Sequence, residues 1–170
     1  MKVEKIVTEE ELKTSIKNIA EELKKKIDSE EITLIGILRG GILFVNELAR
    51  AITELGFNPE IEYIVVKKDE KKNINIVDFP PKESIENKVI IVTDDLIKSG
   101  ETIVKVMSEI KRNNPAQLLS ATLVLKEGAF FTPDAFGFSS EDTSYWVGYG
   151  MDYKGKYRNL QYLGEVKKEN

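Results

Sequence analysis

The chain has 170 residues, of which 41% are hydrophobic and 32% charged, and its formal net charge is −4. This composition predicts a single globular domain, residues 1–170, with a continuous core. The acidic balance, without a long basic run, argues against a nucleic-acid partner. Because Cys and His are absent, thiol or imidazole nucleophiles and the usual zinc sites are excluded, and any metal must be bound by oxygen atoms. No signal peptide or membrane-length apolar run is found, so we expect a soluble, cytoplasmic protein with no membrane partner.

The first half of the chain alternates between helical and strand patterns. Thr8 and Glu11 form a capping box, and the apolar residues that follow recur at helical spacing. A charged segment, 67–72, has the composition of an exposed hairpin tip. The predicted elements of this half are helices over 9–27 and 42–55 and strands over 32–38, 60–66 and 74–79.

The loop between the first of these strands and the second helix has two interpretations. It consists of Leu38, Arg39, Gly40 and Gly41. The two glycines can simply allow a helix to pack close to a strand. They can also let backbone amides approach a pyrophosphate, whose charge Arg39 would neutralise. The residues of this loop alone leave both interpretations open.

The centre of the chain has the layout of a phosphate and metal site. The β-branched run Val89 to Val92 predicts a strand covered on both faces, and Asp94 and Asp95 follow at its carboxyl end. In open α/β sheets this end is where ligands bind. A small polar turn then opens a helix, and its amides and hydroxyls suit an anion. The turn consists of Lys98, Ser99, Gly100, Glu101 and Thr102.

The last third continues the alternation and ends in an aromatic segment. A helix over 103–112 and a strand over 118–125 are predicted, and Lys126 follows that strand. A single Lys at a strand end is typical of a protein surface as well as of a site. Residues 145–159 are rich in aromatics and glycine and precede an apolar strand over 160–166. The whole pattern predicts an α/β fold with a central, mainly parallel sheet flanked by helices.

Three stretches of this chain resemble motifs of type I phosphoribosyltransferases. VIIVTDDLIKSGET resembles their motif for phosphoribosyl pyrophosphate (PRPP). GILRGGILFVNELAR is similar to the pyrophosphate loop of the hypoxanthine-guanine enzymes, and YWVGYGMDYKGKYRN to their purine-binding segment. The resemblance extends from Ile32 to Val166 and implies the type I phosphoribosyltransferase fold, with the C-terminal aromatic segment in a small hood over the strand ends.

The resemblance also implies roles for the residues that bind the phosphoribosyl group. Asp94 and Asp95 would bind the ribose hydroxyls, and the 98–102 turn would bind the 5-phosphate. Arg39 and Arg158, with the backbone of Leu38, Gly40 and Gly41, would bind the pyrophosphate. By the same resemblance, the Leu38–Arg39 peptide is expected to be cis.

At the purine end, the resemblance implies three further contacts and a metal. Lys126 would donate to the exocyclic oxygen of a 6-oxopurine, Tyr145 would stack on the ring, and backbone groups of Trp146 would read its edge. Asp94, Asp95 and Asp152 would be the carboxylates near Mg²⁺, the expected cofactor, which favours a few carboxylates plus substrate phosphates.

The activity implied is transfer of the 5-phosphoribosyl group from PRPP to hypoxanthine, with guanine left open, giving a nucleoside monophosphate and pyrophosphate in purine salvage. Members of the family are commonly homodimers or homotetramers. One departure matters: Lys98 occupies the position of the Asp that takes the purine N7 proton, and Asp95 is the nearest substitute. The alternatives are therefore a weakened protein that binds nucleotide or PRPP in regulation, or an enzyme for adenine or xanthine. The Ser-Tyr pair of the family's mobile loop is not found in 67–79.

Overall fold

The structure, a computed structural model, describes residues 2–141 and 143–167. Its helices are α1 (Glu9–Lys24), α2 (Ile42–Glu54) and α3 (Glu101–Lys111), with a short 3₁₀ helix at Lys82–Ser84. Its strands are β1 (Lys2–Val7), β2 (Ile32–Leu38), β3 (Glu60–Lys68), β4 (Ile74–Asp78), β5 (Val89–Ile97), β6 (Gln117–Lys126), β7 (Ala135–Ser140), β8 (Trp146–Val147) and β9 (Leu163–Lys167). Within these described residues, no helix is both long and apolar enough to cross a bilayer.

The main sheet has six strands in the order β4-β3-β2-β5-β6-β7. All neighbouring pairs are parallel except β3 and β4, which form an antiparallel hairpin. The mainly parallel α/β fold expected from the sequence is therefore confirmed. The segment 67–72 contains the turn of this hairpin, with its first two residues still in β3.

Helices cover both faces of the sheet and bury two separate hydrophobic clusters. Leu34 and Ile91 point to the face where α1 and α2 pack, whereas Ile35 and Ile90 point to the opposite face, which α3 covers. Because side chains alternate between faces along a strand, both alternations must be apolar when both faces are buried. This is why β2 is almost entirely apolar and β5 begins with the apolar run Val89–Val92.

The central strands β2 and β5 part at their carboxyl ends. Their pairing stops at Gly36 with Thr93, whereas β5 stays paired with β6 as far as Ile97 with Leu125. The chain leaves β2 through α2 to one side of the sheet and leaves β5 through α3 to the other. A crevice therefore opens between these two strands, at the kind of switch point where α/β proteins bind ligands.

A second, three-stranded antiparallel sheet has the order β1-β9-β8. Its strand β8 leads into residues 148–158, which lie over the carboxyl ends of the main sheet and share a cavity with Asp94. The hood expected for the C-terminal aromatic segment is therefore present. Neither β1 nor β7 was expected from the sequence.

Several predicted boundaries differ from the structure. The ends of α2, β4, α3 and β6 shift by one or two residues, so that Lys126 is the last residue of β6. Four other boundaries differ as well. Asp94 and Asp95 lie inside β5, because pairing with β6 extends that strand past them. The first helix ends at Lys24 rather than at residue 27, although Ile27 still packs on the core. β3 extends through Lys68, because its hairpin pairing with β4 continues to Ile74. The C-terminal strand starts at Leu163 rather than at residue 160.

Candidate active site

A cavity of about 560 Å³ opens at the carboxyl ends of β2, β5 and β6 and is roofed by residues 143–158. Asp94 and Lys126, which the family resemblance assigns to the ribose and to the purine, both line it. Acidic and basic side chains face each other across it. Its volume is in the range of small-molecule pockets.

The two adjacent aspartates form the floor of this cavity where β2 and β5 part. Asp94 is buried, Asp95 is half-buried, and the Asp95 amide donates to Asp94 Oδ1 at 3.0 Å. Burial raises the pKa of Asp94 well above its usual range, and the neighbouring Asp95 carboxylate raises it further. Burial also raises the pKa of Asp95, against opposing hydrogen bonds and the charge of Arg158. A bound diol or cation would offset part of the free-energy cost of burying these two carboxylates.

The loop after β2 presses directly against this pair. The Leu38–Arg39 peptide is cis, as expected from the family resemblance. A Cβ at Gly40 would overlap the Asp95 carboxylate, and one at Gly150 of the hood would overlap the Gly40 carbonyl. Gly150 also has φ +101°, which few other residues adopt. The Asp95 carboxylate, the 38–41 loop and the hood therefore lie so close together that only glycine fits at positions 40 and 150.

The polar turn between β5 and α3 has the shape of an anion cradle. Gly100 has φ +105°, and a Cβ there would lie 2.5 Å from the Phe131 Cβ. The Ser99 carbonyl accepts from the Phe130 amide at 3.0 Å, which ties the turn to the loop after β6. Because α3 begins at Glu101, the Thr102 and Ile103 amides of its first turn have no partners within the helix and are available to an anion. The Glu101 amide donates to Ser99 Oγ at 3.4 Å.

Lys126 is buried at the end of β6. Its ammonium donates to the Glu141 carbonyl at 3.1 Å and also to the Ser144 carbonyl. Both acceptors belong to the segment that leads into β8. Lys126 therefore holds this segment beside the cavity, and an incoming ligand would have to share or replace these contacts.

The aromatic segment of the hood is held by its own charged pair. Arg158 donates to the Gly150 carbonyl at 2.7 Å, and its other terminal nitrogen lies 2.7 Å from Asp152 Oδ1. Asp152 Oδ2 accepts from the Gly155 amide at 2.6 Å. Tyr145, half exposed, donates to the Asp152 carbonyl at 3.2 Å and lines the cavity.

Comparison with known proteins assigns this constellation to a family. A model described as "Phosphoribosyl transferase domain" matches residues 2–154. The chain belongs to the phosphoribosyltransferase family. Hypoxanthine phosphoribosyltransferase of Buchnera aphidicola subsp. Schizaphis graminum is 34% identical over 171 residues, covering 95% of this chain and 94% of that protein. Hypoxanthine-guanine phosphoribosyltransferase of Dictyostelium discoideum is 28% identical, covering 99% and 98% of the two chains.

A solved phosphoribosyltransferase shares the fold over nearly its whole length. The crystal structure of a hypoxanthine-guanine phosphoribosyltransferase from Bacillus anthracis matches with a TM-score of 0.87 at 27% identity, covering 96% of this chain and 98% of that one. The type I phosphoribosyltransferase fold expected from the three motifs is thereby confirmed.

Most residues predicted for the site of this phosphoribosyltransferase line the one cavity. They are Leu38, Arg39, Gly40, Asp94, Asp95, Lys98, Thr102, Lys126, Tyr145, Trp146, Asp152 and Arg158. Four others do not line the cavity. Gly41, Ser99 and Gly100 lie in the same two turns, whereas Glu101, predicted as part of the second turn, is the first residue of α3 and Thr102 the second. The functional roles of all these residues stay predictions.

The three aspartates predicted near a metal do not form a ready-made metal site. Among residues 2–141 and 143–167, no group of three or more carboxylates is arranged to hold a metal ion. Asp152 instead pairs with Arg158, because the hood brings the two side chains together. The adjacent Asp94 and Asp95 still fit Mg²⁺ of the kind held by one or two carboxylates plus substrate phosphates.

Sequence reasoning missed several cavity residues of this phosphoribosyltransferase, chiefly Lys68, Thr143 and Ser144. Lys68 stands in a run of charged residues and has the composition of exposed surface. The alternation along β3 could have revealed Lys68, because a residue two positions after the apolar Val66 points to the same side of the strand. Thr143 and Ser144 carry no pattern that marks them.

Proposed function

We propose that this chain transfers the 5-phosphoribosyl group from PRPP to hypoxanthine, with guanine as a second base, giving the nucleoside monophosphate and pyrophosphate. The observation that carries the proposal is one cavity that combines an acidic pair, an anion cradle, a cationic loop and an aromatic wall. The names of the relatives that match over nearly the full length support the choice of base.

In this reaction the bond from ribose C1 to the pyrophosphate oxygen breaks, and its electron pair leaves with pyrophosphate. A ring nitrogen of the purine forms the new bond to C1, and the purine gives up one ring proton. Asp94 and Asp95 bind the ribose hydroxyls and favour the positive charge that develops on the sugar. The 98–102 turn holds the 5-phosphate, so the sugar is fixed at both ends while the base attacks.

At the leaving group, Arg39 and the Leu38–Gly41 backbone bind pyrophosphate from the β2 side. Arg158 adds positive charge from the hood once its contacts with Asp152 and Gly150 yield to the substrate. Asp94 and Asp95, with Asp152 nearby, would hold Mg²⁺ together with the phosphates. When bound, that ion would offset charge on the leaving oxygen.

At the purine end, the Lys126 ammonium donates to the exocyclic oxygen of the base, and the Tyr145 ring stacks on it. Trp146, in β8, presents backbone groups to the purine edge. Because Lys126 already bonds the Glu141 and Ser144 carbonyls, purine binding is coupled to the position of that segment.

Lys98 favours a second candidate, a binding protein that responds to nucleotide or PRPP levels with little turnover. An ammonium cannot accept the purine proton, and a missing general base costs roughly 10²–10⁴-fold in rate. Asp95 is the alternative proton acceptor, and its raised pKa brings it closer to the range in which a base works well.

A turnover screen tests the proposal and separates the candidates. Hypoxanthine, guanine, xanthine and adenine are each supplied with PRPP and Mg²⁺, and release of pyrophosphate is measured. We expect hypoxanthine to give the highest kcat/KM. Nucleotide binding without turnover of any of the four bases would favour the regulatory candidate, and a preference for adenine or xanthine would correct the base.

Three expectations accompany this proposal. A homodimer or homotetramer is expected from the family, and light scattering on the purified chain would test it. The single domain over 1–170 would give one cooperative unfolding transition. The cytoplasmic location stays a prediction that cell fractionation would check.

A further inference from the structure

Lys68 is a cavity residue to which neither the sequence nor the proposed reaction assigns a role. It is the last residue of β3, and its side chain lines the same cavity as Arg39 and Asp95. Its neighbour Lys67 does not line that cavity. The structure thus gives Lys67 and Lys68 different surroundings, although the sequence alone does not distinguish them.

The register of the main sheet places Lys68 above the loop after β2. Leu38 pairs with Val65, so Lys68 lies three residues, or about 10 Å of strand, past the level at which β2 ends. Arg39 follows Leu38 directly. Lys68 and Arg39 therefore rise from the ends of neighbouring strands, on the same side of the crevice.

Strand alternation turns the Lys68 side chain toward the cavity. Residues two apart along a strand point to the same side, so Lys68 follows Val66, and Lys67 points to the other side. Val66 and Lys68 both line the cavity, whereas Lys67 does not. The hairpin pairing shifts between Val65 with Asp78 and Val66 with Ile76, but the residue left without an opposite partner, Val77, is in β4, so the alternation along β3 is unbroken.

The hairpin that carries Lys68 is closed by a well-bonded turn. Asp69 Oδ1 accepts from the amides of Lys71 at 2.9 Å and Asn73 at 2.8 Å, and Asp69 Oδ2 accepts from the Asn73 side chain at 2.9 Å. These bonds lower the pKa of Asp69, so the turn is held by an ionised carboxylate at neutral pH. Lys68 thus projects from an ordered hairpin.

Three cations of the cavity have no charged partner in the part of the chain that the structure describes. They are Arg39, Lys68 and Lys98, for which no ion pair is found within 2–141 and 143–167. Arg158, in contrast, is paired with Asp152. An unpaired cluster of this kind, next to backbone amides, is suited to a ligand with several negative charges.

We propose that Lys68 is a further substrate-binding residue, which binds the diphosphate group of PRPP and of the pyrophosphate product. This inference rests on the proposed function. Strand order selects the diphosphate over the other parts of the substrate. β3 adjoins β2, which carries the 39–41 loop, but lies two strands from β5 with its 5-phosphate turn and three from β6 with Lys126.

The test compares two lysine variants by titration calorimetry with inorganic pyrophosphate and Mg²⁺, without any purine. Lys68→Ala should weaken pyrophosphate binding about tenfold, the loss expected for one charged hydrogen bond. Lys67→Ala, which removes the same charge from the adjacent position, should leave affinity nearly unchanged. Lys68→Arg should keep most of the affinity, and the loss in Lys68→Ala should shrink as salt rises.

Steady-state kinetics supply the second readout. In Lys68→Ala the KM for PRPP should rise while the KM for hypoxanthine stays constant. Equal losses in Lys67→Ala and Lys68→Ala would show only a general field of positive charge and would overturn the proposal, as would unchanged pyrophosphate affinity in Lys68→Ala.

The two proposals fail separately. If the wild-type chain binds pyrophosphate through Lys68 but transfers phosphoribose to none of the four bases, the proposed enzyme function is wrong and the Lys68 site stands. If the chain turns over hypoxanthine and Lys68→Ala behaves as wild type, the enzyme function stands and the Lys68 site is wrong.

Discussion

The two ends of the cavity hold their charged side chains in different ways. At the phosphate end, within the described ranges, Arg39, Lys68 and Lys98 have no ionic partner. At the purine end, Lys126 bonds the Glu141 and Ser144 carbonyls. Arg158, which the proposed function assigns to the pyrophosphate, is already paired with Asp152 in the hood. Arg39, Lys68 and Lys98 are ready for an anion, whereas Lys126 must exchange protein contacts for substrate contacts.

This difference indicates an order of events. A multiply charged PRPP gains attraction from unpaired cations without breaking existing bonds, so it can bind to the free protein. A neutral purine offers no comparable attraction and must compete for Lys126. We therefore expect PRPP to bind before the purine, and the following variants test the contrast between the two ends.

The largest change is expected at Lys98. Lys98→Asp restores a carboxylate at the position of the missing base and should raise kcat/KM for hypoxanthine on the order of 10²-fold. The KM for PRPP should worsen slightly, because a positive charge near the 5-phosphate becomes negative.

Lys98→Met is the control, since it removes the charge without adding a base, and it should not raise kcat. Equal or lower kcat in a folded Lys98→Asp variant that still binds purine would show that the proton leaves by another route. Asp95→Asn would then be the variant to examine.

Gly150→Ala tests the contact that joins the two ends. The added Cβ would overlap the Gly40 carbonyl, and Gly40 in turn presses on Asp95. If the overlap displaces Gly40 and the Asp95 carboxylate by about 1 Å, kcat/KM should fall roughly 10²-fold.

Gly155→Ala is the matched control for this variant. Gly155 also has positive φ, at +78°, but a Cβ there meets nothing within 4 Å. Gly155→Ala places alanine at a positive φ, as Gly150→Ala does, but it creates no steric overlap. Its activity should therefore stay near that of the wild type. Equal losses of activity in the two variants would assign the effect to backbone strain alone.

Lys126→Met tests the purine end of the cavity separately from the phosphate end. Loss of the ammonium should raise the KM for hypoxanthine about tenfold, as expected for one charged hydrogen bond. The KM for PRPP should stay constant, because the phosphate end is untouched. Parallel changes in both KM values would mean that the two ends are not separable.

The smallest effect concerns stability and pH. Burial raises the pKa of Asp94 in the folded chain. At pH values between the ordinary and the raised pKa, the folded chain therefore binds more protons than the unfolded chain. The free energy of unfolding falls as pH rises through this range. Asp94→Asn keeps Oδ1 as acceptor for the Asp95 amide but removes the charge. At pH 7 it should raise Tm by about 2–4 °C, the shift that 1 kcal/mol produces in a chain of this size.

Thermal unfolding between pH 4 and pH 8 would check this prediction. The Asn variant should show a flatter dependence on pH than the wild type. A lower Tm at pH 7 would mean that ionised Asp94 stabilises the fold, and the assignment of a desolvation cost would be wrong.

The phosphate end was more predictable from the sequence than the hood. Val89 to Val92 are apolar on both alternations, and the acidic pair and polar turn that follow them are local signals. The pairing of Arg158 with Asp152 and of Lys126 with the Glu141 and Ser144 carbonyls depends on how the hood folds back, which no local pattern encodes. Lys68 was missed for a related reason. The run of charged residues does not mark where β3 ends, so its alternation with Lys67 becomes informative only once the pairing of β3 with β4 is known.

The strand β4 also affects how these molecules behave toward one another. It is one of the two outer strands of the main sheet, and it has only five residues, interrupted by the irregularity at Val77. A long, flat outer strand offers a row of amides and carbonyls on which a strand from another molecule can pair and start aggregation. Because β4 is short and carries this bulge, it is a poor template for such pairing, so extension of the sheet at the β4 edge is limited in concentrated solution.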